Sequence, residues 1–119
     1  DDVNIGWLVT PAFDLTGATD AYINFKLAQH HLDDEDNNTL EVFVSTDFDG
    51  TNVTTATWEK QNVAIPGEDI PWYAFQDVGL IDVSSYSGNL YVAFKYTGSG
   101  TDTSLDGGYF VDDVLFLKK

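Results

Sequence analysis

The sequence has 119 residues, 43% of them hydrophobic and 14% aromatic, which is enough apolar material for a single domain with one core. Twenty acidic residues against five lysines give a formal net charge of -15, so nucleic-acid phosphates and anionic membranes would be repelled. Cysteine is absent, which excludes a disulfide framework, and no apolar run approaches the roughly 20 residues of a membrane span.

Apolar and polar residues alternate with a period of two in many short segments, and Gly, Asn, Asp and Pro separate these segments. In chain order, the predicted strands or extended segments cover residues 6–10, 21–29, 40–46, 57–63, 72–75, 79–83, 89–97 and 109–117. No window shows helical periodicity. The pattern therefore predicts an all-β fold, a jelly-roll β-sandwich of two antiparallel sheets that forms a single domain over residues 1–119.

A short acidic segment follows the predicted strand at residues 40–46. It places the side-chain oxygens of Asp47, Asp49 and Asn52 close together, with Gly50 where a sharp turn is needed. Calcium takes about 6–8 oxygen ligands, and a loop of this kind can supply several of them. Asp and Gly are also favoured in ordinary turns for backbone reasons, so a calcium loop and a plain turn are both open interpretations.

The last predicted strand carries two consecutive carboxylates, Asp112 and Asp113. Strict alternation would place one of them in an apolar row, whichever face is buried. A buried carboxylate is costly unless it is paired, hydrogen-bonded or bound to a metal, and only five lysines are present. We therefore expect either a metal ion or backbone and hydroxyl donors at this position. The alternative is a carboxylate at a strand end that accepts hydrogen bonds from a neighbouring loop.

Aromatic residues next to the predicted loops suggest a place for a ligand. Trp72 and Tyr73 follow a proline-rich segment, and Tyr109 borders a glycine-rich one, whereas Trp7 and Trp58 lie in strand patterns that favour the core. An exposed aromatic ring can stack on a sugar ring, so the first three are the candidate ligand-binding residues. No local motif marks a nucleophile or a catalytic carboxylate pair, and we expect no enzymatic activity.

Six segments in register resemble a known family. They are WLVTPAFDLTG, INFKLAQ, LEVFVSTDFDG, ATWEK, IDVSSYSGNLYVAFKYTGS and YFVDDVLF, and they span residues 7–116. Together they resemble the choice-of-anchor J domains of secreted bacterial proteins. They are more distantly similar to the cleaved adhesin domains of gingipain-type proteases and haemagglutinins.

The resemblance implies a calcium-stabilised jelly-roll domain without activity of its own, excised here from a larger secreted, often cell-surface-attached protein. It carries Asp112 over as the first metal ligand and the segment that contains Asp47 and Asp49 as a second source of ligands. Members of the family have an additional N-terminal strand segment before the WLVTP motif that this sequence does not show, so the resemblance implies a cation site that is either incomplete or rebuilt here. The expected function is adhesion or polysaccharide binding by a monomeric module, with a polysaccharide or a cell-surface protein as partner. The alternative is a structural spacer with no ligand beyond the ion.

Overall fold

The computed structural model describes residues 4–30, 39–67, 70–98 and 108–119. This part of the chain forms nine strands and no helix, and it contains no helix long and apolar enough to cross a membrane. The strands are β1 (Asn4–Val9), β2 (Phe13–Asp14), β3 (Ala21–His30), β4 (Thr39–Ser45), β5 (Glu59–Gln61), β6 (Gln76–Asp77), β7 (Ile81–Asp82), β8 (Asn89–Gly98) and β9 (Gly108–Lys118).

The first sheet is built around β8. Strands β1 and β2 pair with one edge of β8 in tandem, β4 pairs antiparallel with its other edge, and β5 extends the sheet beyond β4. Pro11 separates β1 from β2 because proline cannot donate to a strand ladder. Thr10 bridges the interruption, since its N–H donates to the Val92 carbonyl and its hydroxyl accepts from the Val92 N–H.

The second sheet is built around β3. Strand β9 runs antiparallel along one edge of β3 from Ala21 to His30, while the short strands β6 and β7 share the other edge. All pairings in both sheets are antiparallel. The two sheets therefore consist of one long central strand each, flanked on one side by two short strands that follow one another in sequence.

The inner faces of the two sheets enclose the hydrophobic core. The central strands and β4 supply its fully or nearly buried side chains, including Ile23, Phe25, Leu27, Leu40, Val42, Val44, Leu90, Val92 and Phe94. Phe25 and Phe94 meet edge to face across the interface between the sheets, with ring centroids 4.9 Å apart. The predicted β-sandwich of two antiparallel sheets is thus confirmed, as is the inward alternation predicted for β8 and β4.

A β-bulge interrupts the pairing of β9 with β3. Asn24 pairs with Leu115 and Lys26 pairs with Asp112, so two residues of β9, Asp113 and Val114, lie opposite the single residue Phe25. Asp113 has a φ of 51°, in the left-handed region that Asp tolerates better than most residues. The bulge therefore adds one residue to β9 without lengthening its path along β3.

The extra residue determines which side chains of β9 face the core. Val111 and Phe116 both pack against the core, and Val114 lines an apolar groove of about 340 Å³ together with Val111. Asp112 and Asp113 are both exposed. The prediction that one of these carboxylates lies buried in an apolar row is therefore wrong, because the bulge shifts the alternation by one residue exactly where the two carboxylates occur.

Two predicted strands differ from the observed ones. The strand predicted for residues 57–63 is shortened to β5, and Trp58 lies before it in a loop. Residues 72–75, predicted to be extended, begin as a turn in which the Ala74 N–H donates to the Pro71 carbonyl. The aromatic residues of this segment are typical of strands, which is why the sequence predicted an extended segment. The prediction fails because β-propensity reflects how side chains pack on a surface more than an intrinsic backbone preference.

Deletion of Asp113 tests the role of the bulge. The deletion leaves Val111, Val114 and Phe116 in regular alternation, so we expect a folded variant whose free energy of unfolding stays within about 1 kcal/mol of the wild type. Deletion of Leu115 is the matched control, because it turns Phe116 outward and should cost about 3 kcal/mol or more. Urea unfolding followed by tryptophan fluorescence measures both. Equal losses for the two deletions would contradict this account.

Candidate functional site

The acidic loop after β4 uses its carboxylates to hold backbone N–H groups. Asp47 Oδ1 accepts hydrogen bonds from the Ser45 hydroxyl at 2.6 Å and from the Thr57 N–H at 2.8 Å. Asp49 Oδ1 accepts from the N–H groups of Thr51 and Asn52, both at 2.8 Å. These are the local side-chain-to-backbone bonds that make Asp a turn-forming residue.

The same hydrogen bonds favour the ionised carboxylates. The Asn52 and Thr51 N–H groups hold the pKa of Asp49 below its usual value, and the Ser45 hydroxyl, followed by the Thr57 N–H, does the same for the pKa of Asp47. Asn52 continues the pattern, because its side-chain oxygen accepts from the Thr54 N–H at 3.0 Å and from the Thr54 hydroxyl. One side-chain oxygen of each predicted metal-ligand residue of the loop is thus already an acceptor within the loop.

The loop lies over the outer face of the first sheet. Phe48 packs edge to face on Tyr91 of β8 at 5.0 Å, and the Trp58 ring lies 5.6 Å from Trp7 of β1 and 5.5 Å from Phe48. The Trp58 Nε1–H donates to the Val53 carbonyl at 2.9 Å, which closes the loop on itself. The turns that Asp47 and Asp49 stabilise therefore position Phe48 and Trp58 over the outer face of the first sheet.

The predicted calcium ligands are not assembled into one site. Asp112 lies on β9 in the second sheet, whereas Asp47, Asp49 and Asn52 follow β4 of the first sheet. Within the described ranges, no three or more His, Asp or Glu side chains form a group that could hold a metal ion. The residues seen here do not fit the expected cation site, and calcium binding stays a prediction. The sequence also has an acidic run at residues 33–36, which lies outside the described residues.

A second set of aromatic residues lies on the outer face of the second sheet, beginning with a tight turn at residues 71–74. Trp72 and Tyr73 occupy its central positions, and Tyr73 has a φ of 62°. A positive φ at the third turn position is typical of type II turns, where Gly is the usual residue, so a bulky Tyr there is strained by about 1–2 kcal/mol. Strain of this kind is often retained at functional sites.

Gln29 of β3 holds this turn in place. Its backbone carbonyl accepts from the Tyr73 N–H at 2.8 Å, and its buried side-chain amide donates to the Ile70 carbonyl. Both ends of the turn are therefore hydrogen-bonded to the central strand. The strained conformation of Tyr73 is fixed by the sheet and does not depend on a ligand.

Three rings meet across β3 at this end of the sheet. The Phe110 ring of β9 lies 5.7 Å from Tyr73 and 6.4 Å from Phe75. Phe110 pairs with Ala28 of β3. The alternation along β3 places Ala28 on the outer face, yet Ala28 is fully buried, so we infer that the rings cover Ala28. Because alanine is small, side chains from both neighbours of β3 can meet above it. We call Trp72, Tyr73, Phe75 and Phe110 the aromatic face.

The members of the aromatic face remain accessible to solvent. The exposed fractions are 50% for Trp72, 55% for Tyr73, 43% for Phe75 and 40% for Phe110. Rings with this exposure present both an apolar surface and, for Trp and Tyr, a polar tip. Such a surface can stack against a flat, partly apolar ligand such as a sugar ring.

A polar row crosses the sheet next to the aromatic face. Lys26 of β3 pairs with Asp112 of β9 on one side and with Asp77 of β6 on the other. The Lys26 ammonium lies 3.3 Å from Asp113, and the Asn24 amide donates to Asp77 at 2.7 Å. Carboxylates and an amide beside aromatic rings can exchange hydrogen bonds with the hydroxyl groups of a stacked sugar.

The sequence predicted part of this surface. Trp72 and Tyr73 are exposed as expected, whereas Tyr109 is half-buried, packs against the core and meets Tyr96 edge to face at 6.0 Å. Phe75 and Phe110 were not predicted. For Phe110 a signal existed, because it shares a face with Asp112, but the assumed regular alternation also placed Val114 and Phe116 on that face.

Comparison with known proteins does not assign a family. The sequence matches no protein-family model, and no curated protein matches it. The resemblance to choice-of-anchor J and cleaved adhesin domains therefore stays a prediction.

Replacement of Asp49 by alanine separates a turn role from a calcium role. The variant removes the acceptor for two backbone N–H groups, so we expect the same decrease in Tm with added calcium and with a chelator. Asp20→Ala, at another exposed carboxylate, is the control and should leave Tm unchanged. A decrease seen only with calcium would contradict the turn role, because an ion that binds the folded state alone stabilises it more as the ion concentration rises above the dissociation constant.

The lowered pKa values predict how stability depends on pH. Backbone or hydroxyl donors, with the Asn24 amide at Asp77, lower the pKa of Asp14, Asp47, Asp49, Asp77 and Asp82 from an ordinary 3.8. The unfolded chain then binds more protons than the folded one near this pH. The stabilisation is therefore complete above pH 3.8 and is lost as the pH falls through the lower folded-state values.

The measurement is urea unfolding at several pH values in about 1 M salt, where a Debye length of about 3 Å screens the general repulsion among the carboxylates. We expect the free energy of unfolding to fall below pH 3.8 and the fall to be smaller in Asp49→Ala. A stability that is constant or rises from pH 4 to pH 2 would show that these hydrogen bonds do not couple to folding.

Proposed function

We propose that this domain is a non-catalytic module that binds polysaccharide on the outer face of its second sheet. The observation that carries the proposal is the contact of the exposed Phe110 ring with the exposed rings of Tyr73 and Phe75, next to an exposed Trp72 in the same turn as Tyr73. Isolated exposed apolar residues are common on proteins, but a contiguous exposed patch is typical of an interaction site. The rings supply stacking surfaces, and the neighbouring polar row supplies hydrogen-bonding groups.

The chemistry of the surface favours sugar over other ligands. The net charge of -15 opposes phosphates and anionic lipids, whereas a neutral or cationic polysaccharide meets no such repulsion. The turn that carries Trp72 and Tyr73 is held by two hydrogen bonds to Gln29. A pre-positioned surface loses less conformational entropy when it binds a ligand.

The exposure of Trp72 also separates this proposal from a spacer without a ligand. A spacer has no reason to keep a tryptophan in water, and the other two tryptophans are half-buried against each other and their neighbours. Trp72 is instead 50% exposed at the tip of a strained turn. The extracellular setting and the attachment to other domains of a secreted protein rest on the sequence resemblance and belong to the same proposal.

Affinity gel electrophoresis through soluble neutral polysaccharides, such as β-glucans, xylans and mannans, tests the function. We expect at least one polymer to retard the domain, and Trp72→Ala and Phe110→Leu to weaken that binding about fivefold each, which corresponds to about 1 kcal/mol per ring. Phe110→Leu keeps an apolar cover over Ala28, so the fold is preserved.

The matched control is Leu80→Ala, which removes a side chain that is 63% exposed in the connection between β6 and β7 but is not a ring. It should not change the retardation. If no polysaccharide, neutral or amine-bearing, retards the wild-type domain, or if Leu80→Ala weakens binding as much as the ring variants, the proposal fails.

A further inference from the structure

The outer face of the second sheet is organised in two successive rungs. In the first rung, Phe110 of β9 lies beside Ala28. Extending the pairing of β6 with β3 by one residue places Phe75 on the other side of Ala28. In the second rung, Asp112 and Asp77 flank Lys26. Equivalent positions two residues apart on a strand are separated by about 7 Å. An aromatic rung and an acidic rung are therefore about one sugar unit apart.

The second rung carries an excess of negative charge. Asp77, Asp112 and Asp113 provide three carboxylates, and Lys26 provides one ammonium group, which leaves a net charge of -2 at this rung. Asp112 is exposed, and its Oδ1 accepts from the N–H of Asp113, its neighbour at the bulge. The carboxylates are held on the outer surface by the sheet and the bulge, next to rings that a ligand can stack on.

We propose that the preferred ligand is a polysaccharide that carries free, protonated amino groups. This inference rests on the proposed function and specifies its ligand class. Each sugar ring stacks on the aromatic face, and the ammonium group of the same or the next unit lies over the acidic rung. Charge complementarity of this kind increases the association rate and excludes ligands of the opposite sign.

A basic peptide would offer the same charges, but the structure favours the sugar polymer. Peptides that bind sheets commonly add as a further strand along a free edge, through backbone hydrogen bonds. The bulge at Asp113 interrupts the outer edge of β9 beside the acidic rung, and bulges of this kind discourage strand addition. The accessible surface is the face of the sheet, which suits stacking.

The test compares two oligosaccharides of equal length by isothermal titration calorimetry, one of glucosamine units and one of N-acetylglucosamine units. We expect the glucosamine oligomer to bind about two- to fivefold more tightly at low salt and to lose this advantage in about 1 M salt. The double variant Asp77→Asn/Asp112→Asn should abolish the preference. Asparagine keeps the acceptor oxygens that the Gly79 and Asp113 N–H groups use, so the fold is retained.

Asp20→Asn, which removes one exposed carboxylate at the far end of β3, is the control for net charge and should keep the preference. Equal binding of the two oligomers, with binding still weakened by Phe110→Leu, would overturn the inference while leaving the proposed function intact. A lysine-rich peptide is the competing ligand. If it binds as tightly as the glucosamine oligomer and Phe110→Leu does not change its affinity, the inference is overturned in favour of a basic peptide. Failure of every sugar to bind would remove both proposals.

Discussion

The antiparallel pairing of β3 with β9 is the constraint on which both sides of the second sheet depend. Strand β9 must supply Val111 and Phe116 to the core, yet it carries two consecutive carboxylates between them. Leaving one of these carboxylates in the core would cost several kcal/mol. One additional residue in a left-handed conformation satisfies both demands. The same shift places Phe110 and Asp112 together on the outer face, so the candidate binding surface is a consequence of how the core is filled.

Several described aspartates of this acidic chain are stabilised by nearby backbone N–H groups, hydroxyls and an amide more than by lysines. Only five lysines are present, and the described residues contain two ion pairs, Lys26 with Asp113 and Lys60 with Glu41. Several aspartates instead accept an N–H from two residues further along the chain, as Asp49 does from Thr51 and Asp82 from Ser84. These contacts are local and exposed, so they shape turns without taking charge into the core. A high negative charge and a stable sandwich are therefore compatible without a bound cation at these positions.

The sequence predicts the long central strand β8 and strand β4 well, because their two faces differ strongly in polarity over seven or more residues. It does not predict β2 and β6, which have two residues each and show no period, whereas β7 lies within the segment predicted at residues 79–83. The bulge is missed for another reason. Two adjacent aspartates in an apolar strand indicate a conflict, but a metal ion, a hydrogen-bond donor and a shift of register all resolve it. Only the pairing of β9 with β3 decides among them.

The exposed position of Trp72 could be predicted from its place after a proline-rich segment, whereas the contribution of Phe110 could not. Phe110 meets Tyr73 because both lie next to β3, where Phe110 pairs with Ala28 and the Tyr73 N–H donates to the Gln29 carbonyl. These residues are distant in sequence, and no local pattern relates them. A surface assembled from three segments can therefore be recognised in the fold but not in the sequence.

The outer faces of the two sheets differ in how far their aromatic residues are covered. Each central strand has a fully buried outward alanine that pairs with a phenylalanine, Ala93 of β8 with Phe43 and Ala28 of β3 with Phe110. On the first sheet, the acidic loop after β4 adds Phe48 and Trp58 to the rings of the strands, and all of them are half-buried. On the second sheet, the described residues supply only the short turn before β6, and its rings stay exposed. Among the described residues, the loop after β4 thus covers the aromatic surface of the first sheet, whereas the aromatic face of the second sheet stays exposed and is the surface proposed to bind a ligand.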